Sequence, residues 1–437
     1  MATKRDVLKG VGLAAGVGVA APAAAGDGPR VQPPDLSILS RAALIDRDRA
    51  SSIMAAAGLE ALLLTRSANV YWATNVWPAS DRMGAIGSCA ALVPRDAAAP
   101  IILIAPEFSF YYIASDMGVA PGVAPLLVQP GGRSAMFRLA EGAQPSPREA
   151  RRRALTAQAP TAPDRAGALR AALAQTGLKT GVVGTDERAA ADRLAEIDAG
   201  FASRPCEDVV RRIRLVQTPA GIALMRAASA ANVAAAMASV GRVRELGSLR
   251  AVRQQFFAEA AARGARGVFM VVDGALSEAF DAPLGDGAAF MIDCVSEVAG
   301  HHGDFARTVF IGEPARAMRT VPQTIANAWG EVRAALRPGL RFSQIQEIGR
   351  KALAAQGAGL AIPFSPHIVG LHHSDQPALG LDGRREDLAL EAGMVLSVDC
   401  PLMDAGLGGT AHLEDLTLIT QTGSEPIHDT PPAVLTV

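Results

Sequence analysis

The sequence predicts an α/β amino-terminal domain followed by an α+β carboxy-terminal domain, and three observations carry that prediction. Its 437 residues are enough for two or three domains at roughly 100–200 residues each. Up to about residue 205, short apolar strands alternate with helical stretches, the texture of an α/β unit. After Gly267 the texture becomes apolar strands broken by Gly and Asp, preceded by two helices, which is an α+β order.

Taken in order, Arg41 to Gly58 reads as an amphipathic helix and Leu59–Leu64 as a short strand closed by Thr65-Arg66-Ser67. Further strands are expected at Ala90–Val93, Ile101–Ala105 and Thr180–Val183. Gly142 to Asp164, rich in Pro, Ala, Gln and Arg, reads as a solvated loop around Arg151-Arg152-Arg153. A boundary between Pro205 and Pro219 divides a domain over 40–215 from one over 216–437, with Val209 to Val216 as a connector. Pro219 suits the first turn of a long Ala-rich helix to Val240, and Ser248 caps a second helix ending near Gly264. Strands follow at Val268–Val272, Ala288–Val295, Thr308–Ile311, Met394–Val398 and Leu416–Ile419.

Composition narrows the function classes. The chain is 49% hydrophobic and 19% charged, with a formal net charge of −1, so no global field draws it to nucleic acid or an anionic membrane. No uninterrupted apolar run reaches the ~18 residues needed to cross a bilayer. Residues 1–30 carry a basic start (Thr3-Lys4-Arg5-Asp6-Val7-Leu8-Lys9), a Gly/Ala/Val stretch and Ala23-Ala24-Ala25 before Gly26. That layout is an export signal, similar to a twin-arginine signal with Lys4 in the place of the first Arg, and it implies a periplasmic protein beginning near Gly26. A short disordered Ala/Gly-rich start is the alternative. Cys89, Cys206, Cys294 and Cys400 show no metal-binding spacing and read as buried free thiols. All seven histidines lie after residue 300, so imidazole chemistry belongs to the last third.

There the carboxylates have a pattern. Asp293 ends one apolar run, Asp304 opens the next strand, and Ala299-Gly300-His301-His302-Gly303 between them has turn chemistry. A hairpin folded near 298–299 makes Asp293 and Asp304 direct cross-strand neighbours, and like charges so placed need a proton or a cation between them. His367, Asp399 at a strand end, and Glu414 complete a set of four carboxylates and one imidazole, suited to two divalent metals. By pattern alone, solvated acids at strand ends remain the alternative.

The ordered motifs add a resemblance. Asp293…Asp304-Phe305-Ala306-Arg307-Thr308, His367-Ile368-Val369-Gly370-Leu371, Gly393-Met394-Val395 and Leu413-Glu414-Asp415 resemble the pita-bread metallohydrolases, a family that includes methionine aminopeptidase, aminopeptidase P, prolidase and creatinase. Ala42–Asn75 is similar to the amino-terminal domain of the prolidase and creatinase branch. The resemblance implies a pita-bread domain over 216–437 and two divalent ions (Mn, Zn, Co or Fe). Asp304 and Glu414 would bridge them, with Asp293 completing one site and His367 with Asp399 the other. It implies Arg307 and Asp415 as orienting groups, and a homodimer by analogy.

Departures from the family pattern are local. Asp399 stands where the family has Glu, one methylene shorter. No His precedes His301, and Ser374-Asp375 occupies the place of a family His-Glu pair, with His372 and His373 beside it. The expected function is a metal-dependent hydrolase of small peptides or amides, of the Xaa-Pro aminopeptidase or dipeptidase type. Water activation and carbonyl polarisation would come from the metals, and proton transfer from Glu414 or Asp375. A creatinase-like C–N hydrolase and a catalytically silent binding protein are the alternatives.

Overall fold

The computed structural model describes residues 34–85, 87–113, 119–132, 134–197, 200–377 and 386–437. The export-signal expectation for residues 1–30 falls outside the described residues.

Seven strands form the first sheet: β1 (Ala61–Leu64), β2 (Ala90–Pro94), β3 (Ile101–Pro106), β4 (Val123–Val128), β5 (Thr161–Ala162), β6 (Gly181–Thr185) and β7 (Phe201–Pro205). Their spatial order is β5-β4-β3-β2-β1-β6-β7. Only β2 runs antiparallel to its neighbours. Helices on both faces explain why β1 and β2 are buried at every residue, as the unbroken apolar run Ala61–Leu64 demands.

Two smaller sheets follow, built from β8 (Arg266–Val272), β9 (Ala289–Val298), β10 (His301–Phe310), β11 (Ser365–Ile368), β12 (Val395–Asp399), β13 (Glu414–Asp415), β14 (Thr417–Ile419), β15 (Ser424–Pro426) and β16 (Val434–Thr436). One runs β13-β10-β9-β8 with β16 also on β10; the other runs β11-β12-β14-β15. The helix Pro219–Val240 lies across β9 and β10 and against the helix Leu249–Ala262, while Val321–Ala335 and Phe342–Ala355 pack together beside β11. Windowed hydropathy makes Pro219–Val240 long and apolar enough for a membrane span, but 61% of that window is buried inside the protein. It is a core helix, Ala-rich because it approaches the sheet closely. At Gly303 of β10 an added Cβ would lie 2.7 Å from the backbone of Ala228 and Ser229.

Two segments differ from the sequence reading. Pro147–Gln158, expected as loop, is a helix: Ser146 accepts from the Glu149 N–H at 3.2 Å and Pro147 occupies the first turn. The Pro and Arg content that suggested a loop belongs to its start and its exposed face. Most of the expected connector Val209–Val216 is also helical, in the helix Glu207–Arg214, with acids in its first turn and arginines in its last.

That second helix joins the two halves of the chain. Arg214 is buried and donates to Asn69 Oδ1 and Asp375 Oδ1, both at 2.6 Å. Asp186 ties the same corner down, accepting from the backbone N–H of Thr65 at 2.9 Å and from Asn69 Nδ2 at 2.9 Å.

The close seat of the core helix on β10 is testable. Gly303→Ala must push the helix off the strand that carries Asp304, and overpacking of this kind costs about 1–3 kcal/mol. Chemical denaturation should show the loss; unchanged stability would mean that helix and strand can separate freely.

Candidate metal centre

The centre is set by strand register. β9 and β10 are joined by Ala299 and Gly300, both at positive φ (47° and 79°), and the pairing sets Asp293 opposite Ala306 and Asp304 opposite Val295. The hairpin therefore turns one residue later than expected, and Asp293 and Asp304 are diagonal neighbours on one face rather than direct partners. Ala306 also pairs with Glu414 on its other side. Three carboxylates thus surround a position whose own side chain is a single methyl. His301 and His302, expected in a solvated turn, open β10 instead and are buried.

The second small sheet supplies the rest. His367 lies directly opposite Ser397, and both reach Glu414 Oε1: His367 Nε2 at 3.3 Å, and the Ser397 hydroxyl as a hydrogen-bond donor. His367 Nε2 is also 3.5 Å from Asp399 Oδ1 and 3.7 Å from Asp304 Oδ2. Its Nδ1 donates to the carbonyl of His373 at 3.0 Å, which leaves Nε2 as the atom facing the carboxylates. His373 Nε2 stands 3.2 Å from Asp304 Oδ2, and its ring meets Phe269 edge-on.

Asp293, Asp304, His367, Asp399, Glu414 and His373 are accordingly brought together. Three other expected site residues are not. Arg307 points to the opposite face of β10, where it donates to the Glu414 carbonyl at 2.9 Å and pairs with Asp415 at 2.6 Å. Asp375 is engaged on both oxygens, by Arg214 and by the Leu371 N–H at 3.1 Å, instead of joining the cluster. His372 makes no contact with the cluster among the described residues, and burial lowers its pKa, with Asp375 opposing. Two residues join unforeseen: Ser397, and His412, whose Nε2 is 3.6 Å from Glu414 Oε2. Both stand two residues before a named ligand, Asp399 and Glu414, and strand alternation alone could have flagged them.

Electrostatics show what the cluster lacks. Asp293 Oδ1, both oxygens of Asp304 and Glu414 Oε2 are buried without a hydrogen-bond partner. Burial pushes Asp304 up to about 6 against the pull of His367. Burial and neighbouring carboxylates raise Asp293 and Glu414 well above the ordinary range. Burial opposes charge on His367, but hydrogen bonds and charges from Asp399 and Glu414 outweigh it and raise its pKa. Unpaired buried carboxylates are costly, and cations relieve the cost. Two groups have ligand atoms within 4.8 Å of one another: Asp304, His367, His373 and Glu414, and Asp293, His412 and Glu414. The donors fit divalent metal ions, with Glu414 shared. A cleft of about 610 Å³ opens beside them, lined by His367, His373, Asp399, Phe342, Ser343 and Gln346 among others.

Comparison with known proteins agrees with this geometry. The sequence profile of metallopeptidase family M24 matches residues 202–421. A probable dipeptidase PepE of Mycobacterium tuberculosis H37Rv is 29% identical over 266 residues, 58% of this chain and 69% of that protein. An Xaa-Pro dipeptidase of Pyrococcus furiosus is 23% identical over 269 residues, 57% of this chain and 73% of its own. Among solved structures, an Xaa-Pro dipeptidase from Bacillus anthracis superposes with a TM-score of 0.64 at 17% identity, covering 90% of this chain and 99% of that one. Dipeptidase PepE from Mycobacterium ulcerans gives 0.61 at 20% identity, covering 90% and 96%. These likenesses establish the pita-bread fold.

The raised carboxylates fix the sign of a pH effect in metal-free protein. An Asp with an unfolded pKa near 3.9 and a folded value of about 6 contributes stability below pH ~4 and loses it as pH rises through 6. Metal-free wild type should lose stability between about pH 4 and 7. Asp304→Asn should flatten that loss and gain about 1–3 kcal/mol at pH 8 while binding metal poorly. Equal pH profiles for the two proteins in urea denaturation would contradict the assignment.

Proposed function

The chain belongs to metallopeptidase family M24, and from that premise we propose that it is a metal-dependent hydrolase of small peptides whose substrates are Xaa-Pro dipeptides or closely related amides. The observation that carries this reading is the set of buried, unpartnered carboxylate oxygens on Asp293, Asp304 and Glu414, gathered with His367 and His412 beside an open cleft. Asp293, Asp304, His367, Asp399 and Glu414 would hold two divalent ions, Mn, Zn, Co or Fe. Such ions, when bound, activate water and polarise the scissile carbonyl.

The chain's own groups do the rest. Ser397 and His367 hold Glu414 Oε1 in place, and Oε2, without a hydrogen bond, is turned toward His412. His373, with about a third of its side chain exposed, reaches from the cleft wall towards Asp304. It is the imidazole placed to contact the substrate and to hold or deliver a proton at Nε2. Phe269, edge-on to that ring, keeps it aimed. Arg214 and Asp375 act one step removed, since Asp375 pins the Leu371 N–H at the base of the loop bearing His373. Export to the periplasm, resting on residues 3–25, and a homodimer belong to the same proposal.

Purified protein should cleave Xaa-Pro dipeptides. Chelation or Asp304→Asn should lower kcat/KM by at least about 10³-fold, the scale of several kcal/mol of lost charge stabilisation. No turnover over a broad dipeptide and amide panel by metal-loaded protein would leave a binding role as the function. His373→Ala should lower kcat by roughly 10²–10⁴-fold with metal content unchanged. Loss of metal in that variant would place His373 among the ligands instead.

A further inference from the structure

We propose that His412 is a metal ligand, so that each of the two ions is held by an imidazole as well as by carboxylates. The inference rests on the two-metal reading above and adds a residue to it. Glu414 divides the centre: Oε1 faces His367 and Ser397, and Oε2 faces His412. The ligand atoms of Asp293, His412 and Glu414 all lie within 4.8 Å of one another, as a second group that shares only Glu414 with the one around His367. Of that group, Asp293 Oδ1 and Glu414 Oε2 are buried oxygens with no hydrogen-bond partner.

The distances suit coordination better than hydrogen bonding. His412 Nε2 is 3.6 Å from Glu414 Oε2 and 3.9 Å from Asp399 Oδ1, both too long for a hydrogen bond. Two ligands each about 2.1 Å from one tetrahedral ion stand roughly 3.4 Å apart, so a small closure suffices. The ring is also held: its side chain is only 4% exposed, and Thr308 Oγ1 bonds both backbone groups of His412, its N–H at 3.1 Å and its carbonyl at 3.3 Å.

Asp399 gives His412 its purpose. Its Oδ1 stands between the two imidazoles, 3.5 Å from His367 and 3.9 Å from His412. A short side chain so placed can complete one ion's shell but cannot also close the other's. His412 fills that position with nitrogen. Imidazole in both sites favours Zn, Co or Fe over the all-oxygen preference of Mn.

The test is metal-free protein reloaded with Co²⁺, with metal content measured and the hyperfine-shifted, exchangeable imidazole N–H resonances counted by proton NMR. Wild type should bind two equivalents. His412→Ala and His412→Gln should each show one fewer imidazole resonance, and the weaker ion should bind at least about 10-fold less tightly. The Gln variant keeps bulk and polarity, so it reports on coordination even if the Ala variant folds poorly. Two bound ions with an unchanged resonance count in His412→Gln would overturn the proposal and leave the two-metal reading intact. Wild-type protein that takes up no Co²⁺ would overturn both.

Discussion

Unpaired negative charge in a dry place governs this molecule. Asp293 and Glu414 flank Ala306 on either side, and Asp304 sits two residues along the same strand face. Among the described residues, none of their carboxylate groups has an arginine or lysine as a hydrogen-bonding partner. Carboxylates in ordinary cores acquire cationic partners or are replaced by apolar groups, because desolvation costs more than packing returns. Here the strands keep three of them together, with His367 and His412 at the edge. The fold tolerates the strain because the same strands are heavily secured elsewhere.

That security is divided by strand alternation. On the reverse face of β10, Arg307 binds Asp415 and the carbonyls of Glu414, Pro431 and Pro432, fixing β13 against β10 without touching the ligand oxygens. One strand pair therefore carries a satisfied ion pair on one face and an unsatisfied cluster on the other. Arg214 performs the matching task for the loop from Leu371 to Gln376, anchoring it to Asn69 of the first half of the chain. The amino-terminal half thus reaches the loop beside the site through Arg214, with Arg211 donating to the carbonyls of Ser374 and Gln376 of the same loop.

Much of this was legible in the order of motifs, because ligands at strand ends leave their mark in sequence: an acid or imidazole closing an apolar run. Fine register was not. The turn at Ala299-Gly300 lies one residue beyond the expected point, and that shift alone converts Asp293 and Asp304 from direct to diagonal neighbours. His301 and His302 read as turn residues because Gly300 and Gly303 flank them, yet Gly303 is glycine to admit a helix, not to make a turn. Asp375 looked like a proton carrier because nothing in the sequence reveals that Arg214, 161 positions away, holds it. His412 and Ser397 were overlooked for a simpler reason: strand alternation was applied to the acids and not to their second neighbours.

Asp375 and Glu414 show why burial alone does not mark a catalytic group. Both are fully buried carboxylates in the same region of the fold. Asp375 has a partner on each oxygen, with Arg214 Nη2 on Oδ1 and the Leu371 N–H on Oδ2. Glu414 has one oxygen held by Ser397 and His367 and the other left open toward His412. A group able to hold a charge, a proton or a cation with comparable ease is what hydrolysis requires. The distinction lies in whether a second oxygen is left unsatisfied, and the secured backbone of Glu414 is what allows that oxygen to remain so.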